Sequence, residues 1–520
     1  MPDRRPPRGA RALALFALLA SLLLVLAGCG SGSSDSSAGP ASDPATVVPP
    51  DAAVYVQATV RPSGALRDGA IAAARKVLRV QDPGAELQRL IDRGLADSPV
   101  PGPPTYARDI EPWLGDRAAV FVLPDRGDEP VAGFVAAVKD RDAFEQELGR
   151  LRDAGQLRDG GSAGGVTYDL TRKGEPVGLV GDFAVLASTL DAFRAAVDAS
   201  SGESLADASR FGDAIGDVPD DALAFVYADP KALVEAAGTL QGVPAQLRGA
   251  LQGLAEGGPA VASLTANADQ IAIEGSASSR LLATGGSDAE VTVGQLPGDS
   301  WLALATPPLG PLVKNALTTA GVHDRVAAQV RVATGLELDR DVLDPLGGLG
   351  LFARGRSLLD IGAGALLQMT SATAAQRLLT RLQVILAGGA GLSVHPTTVQ
   401  GGSGFDVQIP QSPQPIVVIA KGDRVAAGYG ASSAEDLLDP QQRFDESSTG
   451  KAAIDTLGEG WTPAFVLIVP PLAALLRSLD QLQVADLSNV LPYVNAFRSL
   501  AIGTKRDGDR ISVRIVAALS

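Results

Sequence analysis

A single cysteine, Cys29, in 520 residues leaves no partner for an intrachain disulfide and no thiolate cage for a metal. Histidine occurs only twice, as His323 and His395, too few and too far apart in sequence for most zinc sites. Aromatic residues make up 4% of a chain that is 46% hydrophobic, so its core must be built mainly from Ala, Leu and Val. Positive charge is also short: 44 Lys and Arg stand against 59 Asp and Glu, for a net charge of -15. Such a chain is repelled by nucleic-acid phosphates and by anionic headgroups, which argues against a nucleic-acid partner and against a polybasic membrane contact. Past the N-terminal leader, no apolar run reaches the ~20 residues of a spanning helix. Pro470 and Pro471 break the richest candidate, residues 464–476.

What is present begins with that leader. Arg4, Arg5, Arg8 and Arg11 precede an apolar run over residues 12–26, which is short for a membrane span and suits the h-region of a secretory signal. The run closes on Leu26-Ala27-Gly28-Cys29, which resembles a bacterial lipoprotein signal. That resemblance implies cleavage before Cys29, with Leu26, Ala27 and Gly28 recognised by the signal peptidase and the Cys29 thiol carrying a diacylglyceryl group. Two acyl chains hold firmly, since each buried methylene contributes about 0.8 kcal/mol and a single myristoyl chain binds only marginally. Residues 30–48 are rich in Ser, Gly, Ala and Pro and read as a disordered tether. Loss of four arginines and one aspartate with the leader leaves the body more acidic still.

The body reads as one pattern written twice. Pro49-Pro50-Asp51-Ala52-Ala53-Val54 recurs as Pro297-Gly298-Asp299-Ser300-Trp301-Leu302, and the run from Asp109 to Gly115 recurs from Asp341 to Gly347. Four further matches keep the same order: residues 131–138 with 361–369, Gly165–Leu170 with Gly404–Val407, Gly181–Val185 with Gly422–Ala426, and Asp269–Ile273 with Asp509–Val513. In residues 376–386, Leu378, Leu379, Leu382, Ile385 and Leu386 fall at helical spacing on one face. Residues 417–429 read as strand, turn at Lys421-Gly422-Asp423, strand; Asp507-Gly508 marks another turn before the closing strand 511–519. Hairpins beside helices predict an α+β fold of two tandem duplicated repeats, each a mostly antiparallel sheet covered by helices on one face. The expected division is 1–28 signal peptide, 29–48 tether, 49–285 first repeat and 286–520 second repeat.

Val48-Pro49-Pro50-Asp51-Ala52-Ala53-Val54-Tyr55-Val56, followed by Trp113-Leu114-Gly115-Asp116-Arg117-Ala118-Ala119-Val120, resembles the bacterial domain-of-unknown-function family 3352. The resemblance spans nearly the whole mature chain. It implies an envelope or membrane-associated protein and brings no catalytic or binding residue with it.

Candidate chemistry is sparse. Gly160-Gly161-Ser162-Ala163-Gly164 matches the GxSxG pattern of serine hydrolases, but the polar residues 152–159 before it do not make the buried strand that motif needs, and a flexible loop is expected. His323, in a helical region, and His395, near a loop, are expected at the surface. Asp339, Asp341 and Asp344 crowd together, yet Leu343 and Gly350 stand where a calcium loop requires ligands, so capping or turn roles are expected. Gly450-Lys451 lacks the rest of a phosphate loop, Arg126-Gly127-Asp128 reads as a hairpin turn, and the Gly388–Gly391 run ends a helix.

These features point to a lipid-anchored, extracytoplasmic protein without a catalytic site or cofactor, tied to the membrane through the lipid on Cys29 and binding or scaffolding an envelope partner. A second reading is a carrier or sensor of a lipophilic ligand, roofed by the apolar helices 472–479 and 247–254. A serine hydrolase acting through Ser162 is a third. Intact-mass analysis of the membrane-extracted protein is expected to show a chain starting at Cys29 with an added diacylglyceryl mass; an unmodified cysteine would rule out the anchor.

Overall fold

The computed structural model describes residues 43–96, 104–124, 131–238, 257–278, 290–388, 392–410, 412–482, 487–508 and 510–520. Residues 1–42, and with them the leader, the cleavage residues Leu26, Ala27 and Gly28, and Cys29, lie outside the described residues. The chain divides into two compact units, Met1–Ser278 and Ser279–Ser520. Helices and antiparallel strands are interspersed along both units, an α+β fold.

Among the described residues the first unit holds ten strands: β1 (Val54–Thr59), β2 (Leu114–Leu123), β3 (Val131–Val138), β4 (Leu157–Ala163), β5 (Val166–Thr171), β6 (Pro176–Val180), β7 (Phe183–Ala187), β8 (Ala224–Ala228), β9 (Ala260–Ala266) and β10 (Gln270–Ser278). They pair antiparallel in the order β4-β5-β6-β7-β3-β2-β1-β8-β9-β10. The second unit holds β11 (Leu302–Ala305), β12 (Leu346–Arg354), β13 (Gly362–Met369), β14 (Ser393–Val399), β15 (Gly402–Gln408), β16 (Ile416–Lys421), β17 (Arg424–Tyr429), β18 (Thr462–Ile468), β19 (Phe497–Asp507) and β20 (Arg510–Leu519). Their order is β14-β15-β16-β17-β13-β12-β11-β18-β19-β20, again antiparallel at every step.

Helices cover both faces of the first sheet, not one. The reason is legible in β2 and β3, whose residues are apolar at successive positions. Ala119, Phe121 and Val135 face the helices Leu190–Ser201 and Ser209–Ile215, packing with Tyr55, Ala192, Phe193 and Phe211. The alternate residues Ala118, Val120 and Ala136 face the helix Pro83–Ala96 through Leu87 and Ile91. A two-sided apolar strand needs a cover on each side. Deep in the first cluster the Tyr55 hydroxyl donates to Gln57 Oε1 at 2.6 Å, which satisfies that buried pair. In the second unit Ala375 and Leu379 of the helix Ala372–Ala387 pack on Phe405, Val418 and Val425. That helix starts where Ser371 Oγ accepts the Ala374 N–H at 3.2 Å. Leu378, Leu382 and Leu386 join the packed face as their spacing predicts; Ile385 does not, and lies in solvent.

Two boundaries differ from expectation. The folded body starts before residue 49: Asp43 caps a 3-10 turn over Pro44–Val47, and Ala45, Val47 and Val48 are buried against the first sheet. Apolar area there outweighs the disorder that Ser, Pro and Ala content suggests. The Gly160–Gly164 stretch is not a loop. Residues 160–163 belong to β4, with Ser162 opposite Thr167 of β5, and the turn falls at Gly164-Gly165. Glycine suits position 160 because a Cβ there would strike the Tyr168 ring.

Outer strands β4 and β14 are blunted as pairing templates. A bulge breaks β4 between Asp159 and Gly161, and Pro396 in β14 has no N–H to offer. Phe405→Ala, which empties a fully buried position, is expected to lower stability by about 3–5 kcal/mol, read as a fall in the urea midpoint.

Candidate functional site

A cluster of charged side chains in the first unit surrounds Asp109, on a π-turn over Tyr106–Ile110 that leads into β2. Its carboxylate is buried. It accepts the Thr105 N–H at 2.6 Å and the Arg108 guanidinium at 2.8 Å, and Arg150, from the helix Arg141–Asp153, lies 3.2 Å away. Arg150 also pairs with Glu147 at 2.6 Å. Burial by itself pushes the Asp109 carboxyl up, but the hydrogen bonds from Arg108 and Thr105, with the charges of Arg150 and Arg108, hold it below the ordinary carboxylate value. The Asp109 carbonyl accepts the Trp113 indole N–H at 2.8 Å, and the Trp113 ring meets Phe144 edge-on at 5.0 Å. The arrangement ties a strand entrance to a helix. It is a brace, in which both carboxylate oxygens of Asp109 accept hydrogen bonds.

The second unit carries a matching turn over Leu338–Leu343. Asp341 accepts the Glu337 N–H at 2.9 Å and the Arg340 guanidinium at 3.0 Å. The Arg340 hydrogen bond, then the Glu337 N–H, lowers its carboxyl to about 2. Sequence comparison pairs Asp109 with Asp341, and both accept a backbone N–H four residues back and the preceding arginine; Asp109 adds the ion pair to Arg150. Asp339 turns elsewhere, to His323 Nε2 at 3.0 Å and Lys314 Nζ at 3.3 Å. The Asp344 N–H donates to the Asp339 carbonyl. The three aspartates thus serve a turn, its capping and an ion pair. Among the described residues no group of three or more His, Cys, Asp or Glu is placed to hold a metal ion.

His323 opens the helix His323–Thr334 and contacts Asp339 and, at 3.2 Å, Asp324. Hydrogen bonds to Asp339 and then Asp324 raise its pKa above the ordinary histidine value. His395 lies near the start of β14 and is exposed, as expected; Asp406, directly across in β15, is 3.4 Å away. Neither histidine belongs to the unit of Ser162, which is exposed on β4. Gly450-Lys451 lies inside the helix Ser448–Asp455: the Gly450 N–H donates to Ser447 Oγ at 3.1 Å, and Lys451 pairs with Asp455. Arg126-Gly127-Asp128, the apolar segment 247–254 and residues 389–391 lie outside the described residues. Gly388 does end its helix, as its C-cap. The Asp109–Arg150 brace escaped the sequence reading because its arginine lies far along the chain; the only signal was the repeated Arg-Asp pair at 108–109 and 340–341.

The family model described as "Protein of unknown function (DUF3352)" matches residues 10–519. The chain belongs to that family. No curated protein matches this DUF3352 chain. Among solved structures, crystal forms III and IV of TP0453 are each 10% identical. Form III covers 77% of this chain and 97% of its own, and form IV 76% and 96%, both with a TM-score of 0.21. Likeness that slight carries no argument. No helix among the described residues is long and apolar enough to cross a membrane.

The His323–Asp339 pair makes a pH-dependent contribution. A raised folded-state pKa means the pair stabilises fully below the ordinary value of about 6.5, and the contribution fades as pH rises through the raised one. NMR titration is expected to find His323 above the ordinary value and to bring it down in Asp339→Asn; an unmoved titration would dissolve the pair's role.

Proposed function

We propose that this DUF3352 protein is a non-enzymatic, lipid-anchored protein of the cell envelope, whose two units arose by tandem duplication and present a binding or scaffolding surface. One observation carries the reading: ten antiparallel strands follow the same order in each unit. Support for duplication comes from the sequence matches, which fall at corresponding points of that order: before β1 and β11, at the π-turns, and in the turns β6–β7 and β16–β17. Support for a binding role comes from what the repeated polar residues do. Asp109 and Asp341 hold the corresponding turns in the two units, which leaves the surfaces free to diverge. Extracytoplasmic anchoring rests on the Leu26-Ala27-Gly28-Cys29 motif.

A carrier or sensor of a lipophilic ligand is the second reading. It draws on the face of β11, β18 and β19 where Leu302, Leu304, Phe465, Leu467, Leu500 and Ile502 are half-buried, beside the helix Val469–Gln481, whose Leu472, Leu476 and Leu479 are half-buried too. Such stripes more often fill a core.

Native mass spectrometry of the gently extracted protein separates the two readings. The scaffold reading expects a recurrent protein complex and no bound small molecule. A stoichiometric lipophilic ligand would favour the carrier, and a bare monomer from every preparation would count against both.

A further inference from the structure

At one end of the second unit's sheet, three connections hold large apolar side chains in solvent. Strand β12 runs toward that end and β13 away from it, with Arg354 opposite Gly362. The connection between them carries Leu358 and Leu359, 46% and 96% exposed. Strands β13, β17, β16, β15 and β14 alternate in direction, so β14 also begins at that end. The helix Ala372–Ala387 links β13 to β14 and therefore finishes there, with Val384 and Ile385 each 69% exposed. β15 ends there too, and the next residue, Ile409, is 40% exposed.

The β12–β13 connection is built to keep its shape. The Asp360 carboxylate accepts the N–H groups of Arg356 and Ser357, at 3.1 and 2.7 Å, and the Ser357 hydroxyl at 2.7 Å. Gly355 supports this with a left-handed φ of 101°. Clamped at its base, the turn holds Leu358 and Leu359 outward.

The fold does not impose apolar residues at this end. At the corresponding end of the first unit, the chain between β2 and β3 reads Pro124-Asp125-Arg126-Gly127-Asp128-Glu129-Pro130. The helix Arg141–Asp153 finishes in Arg150, Arg152 and Asp153, and β5 joins β6 through Arg172, Lys173, Gly174 and Glu175. The same topological position is charged in one unit and aliphatic in the other.

Protein interfaces concentrate their affinity in Trp, Tyr and Arg seated in packed pockets. Here the side chains are Leu, Val and Ile on separate projections, which suits a bilayer, since acyl chains demand no matched shape. The lipid anchor read at Cys29 would also bring a bilayer to the chain. We propose that this end of the second unit enters the membrane surface, with Leu358, Leu359, Val384, Ile385 and Ile409 at the acyl boundary. The presence of a bilayer rests on the lipid-anchor reading; the contact is apolar and does not depend on anionic lipid.

The test uses the full chain in phosphatidylcholine vesicles, with a polarity-sensitive thiol dye at Leu359→Cys and, as control, at Asp423→Cys in the turn at the opposite end of the same sheet. The natural thiol is consumed by acylation, which intact mass verifies. The dye at 359 is expected to shift to the blue and lose emission to brominated acyl chains, while the dye at 423 does neither. A dye at 359 that behaves like the one at 423 overturns the proposal. A blue shift without quenching by brominated lipid also overturns it, in favour of contact with a protein. If intact mass shows no acyl group, the anchor reading fails by itself. The same labels in a Cys29→Ser background, added to preformed vesicles, then decide the membrane contact by the same quenching.

Discussion

Each sheet depends on its first strand being bonded on both sides. β1 takes β2 on one side and β8 on the other, so that Gln57 lies between Ala119 and Phe225. β11 takes β12 and β18 in the same way, with Leu304 between Leu351 and Phe465. Remove that strand and each sheet falls into two pieces: a broad one, in which β3 meets β7 or β13 meets β17, and a narrow one closed late in the chain. Because the pairing joins distant residues, its loop-closure entropy must be met before packing on either face can offset it. The apolar residues on both faces of β1 and β2 supply that packing.

The brace at Asp109 serves the same end. It fixes the entrance to β2 against the helix Arg141–Asp153, next to the central strand, while Asp341 ties together the turn before β12. A buried carboxylate met by a backbone N–H and two guanidinium groups is well satisfied, whereas a lone buried charge is costly. Asp43, Asp341 and Asp360 are likewise met by backbone N–H groups close by in the chain. They hold turns.

Much of this architecture was legible in the sequence. The α+β character followed from hairpin turns such as Lys421-Gly422-Asp423 beside the Leu378–Leu386 helix, and Asp341 could be matched to Asp109 by pattern alone. Other features were hidden because tertiary packing overrode local preference. The segment at Pro44–Val48 looks like linker and is core, since a sheet face next to it needed cover. Gly160–Ala163 looks like a loop and is strand, since Tyr168 packs over Gly160 and β5 dictates the register. The exposure of Ile385 could not be read from its spacing, which matches that of buried neighbours.

The burial of Val47 and Val48 alters how the body is gripped. The Leu205 N–H donates to the Val48 carbonyl at 2.8 Å, so the start of the fold is pinned from a distant loop as well as from beneath the sheet. Tension arriving along the preceding chain meets this wedge before it reaches β1. The load is then shared across the first unit's interior, and the central strand is shielded from being peeled away bond by bond.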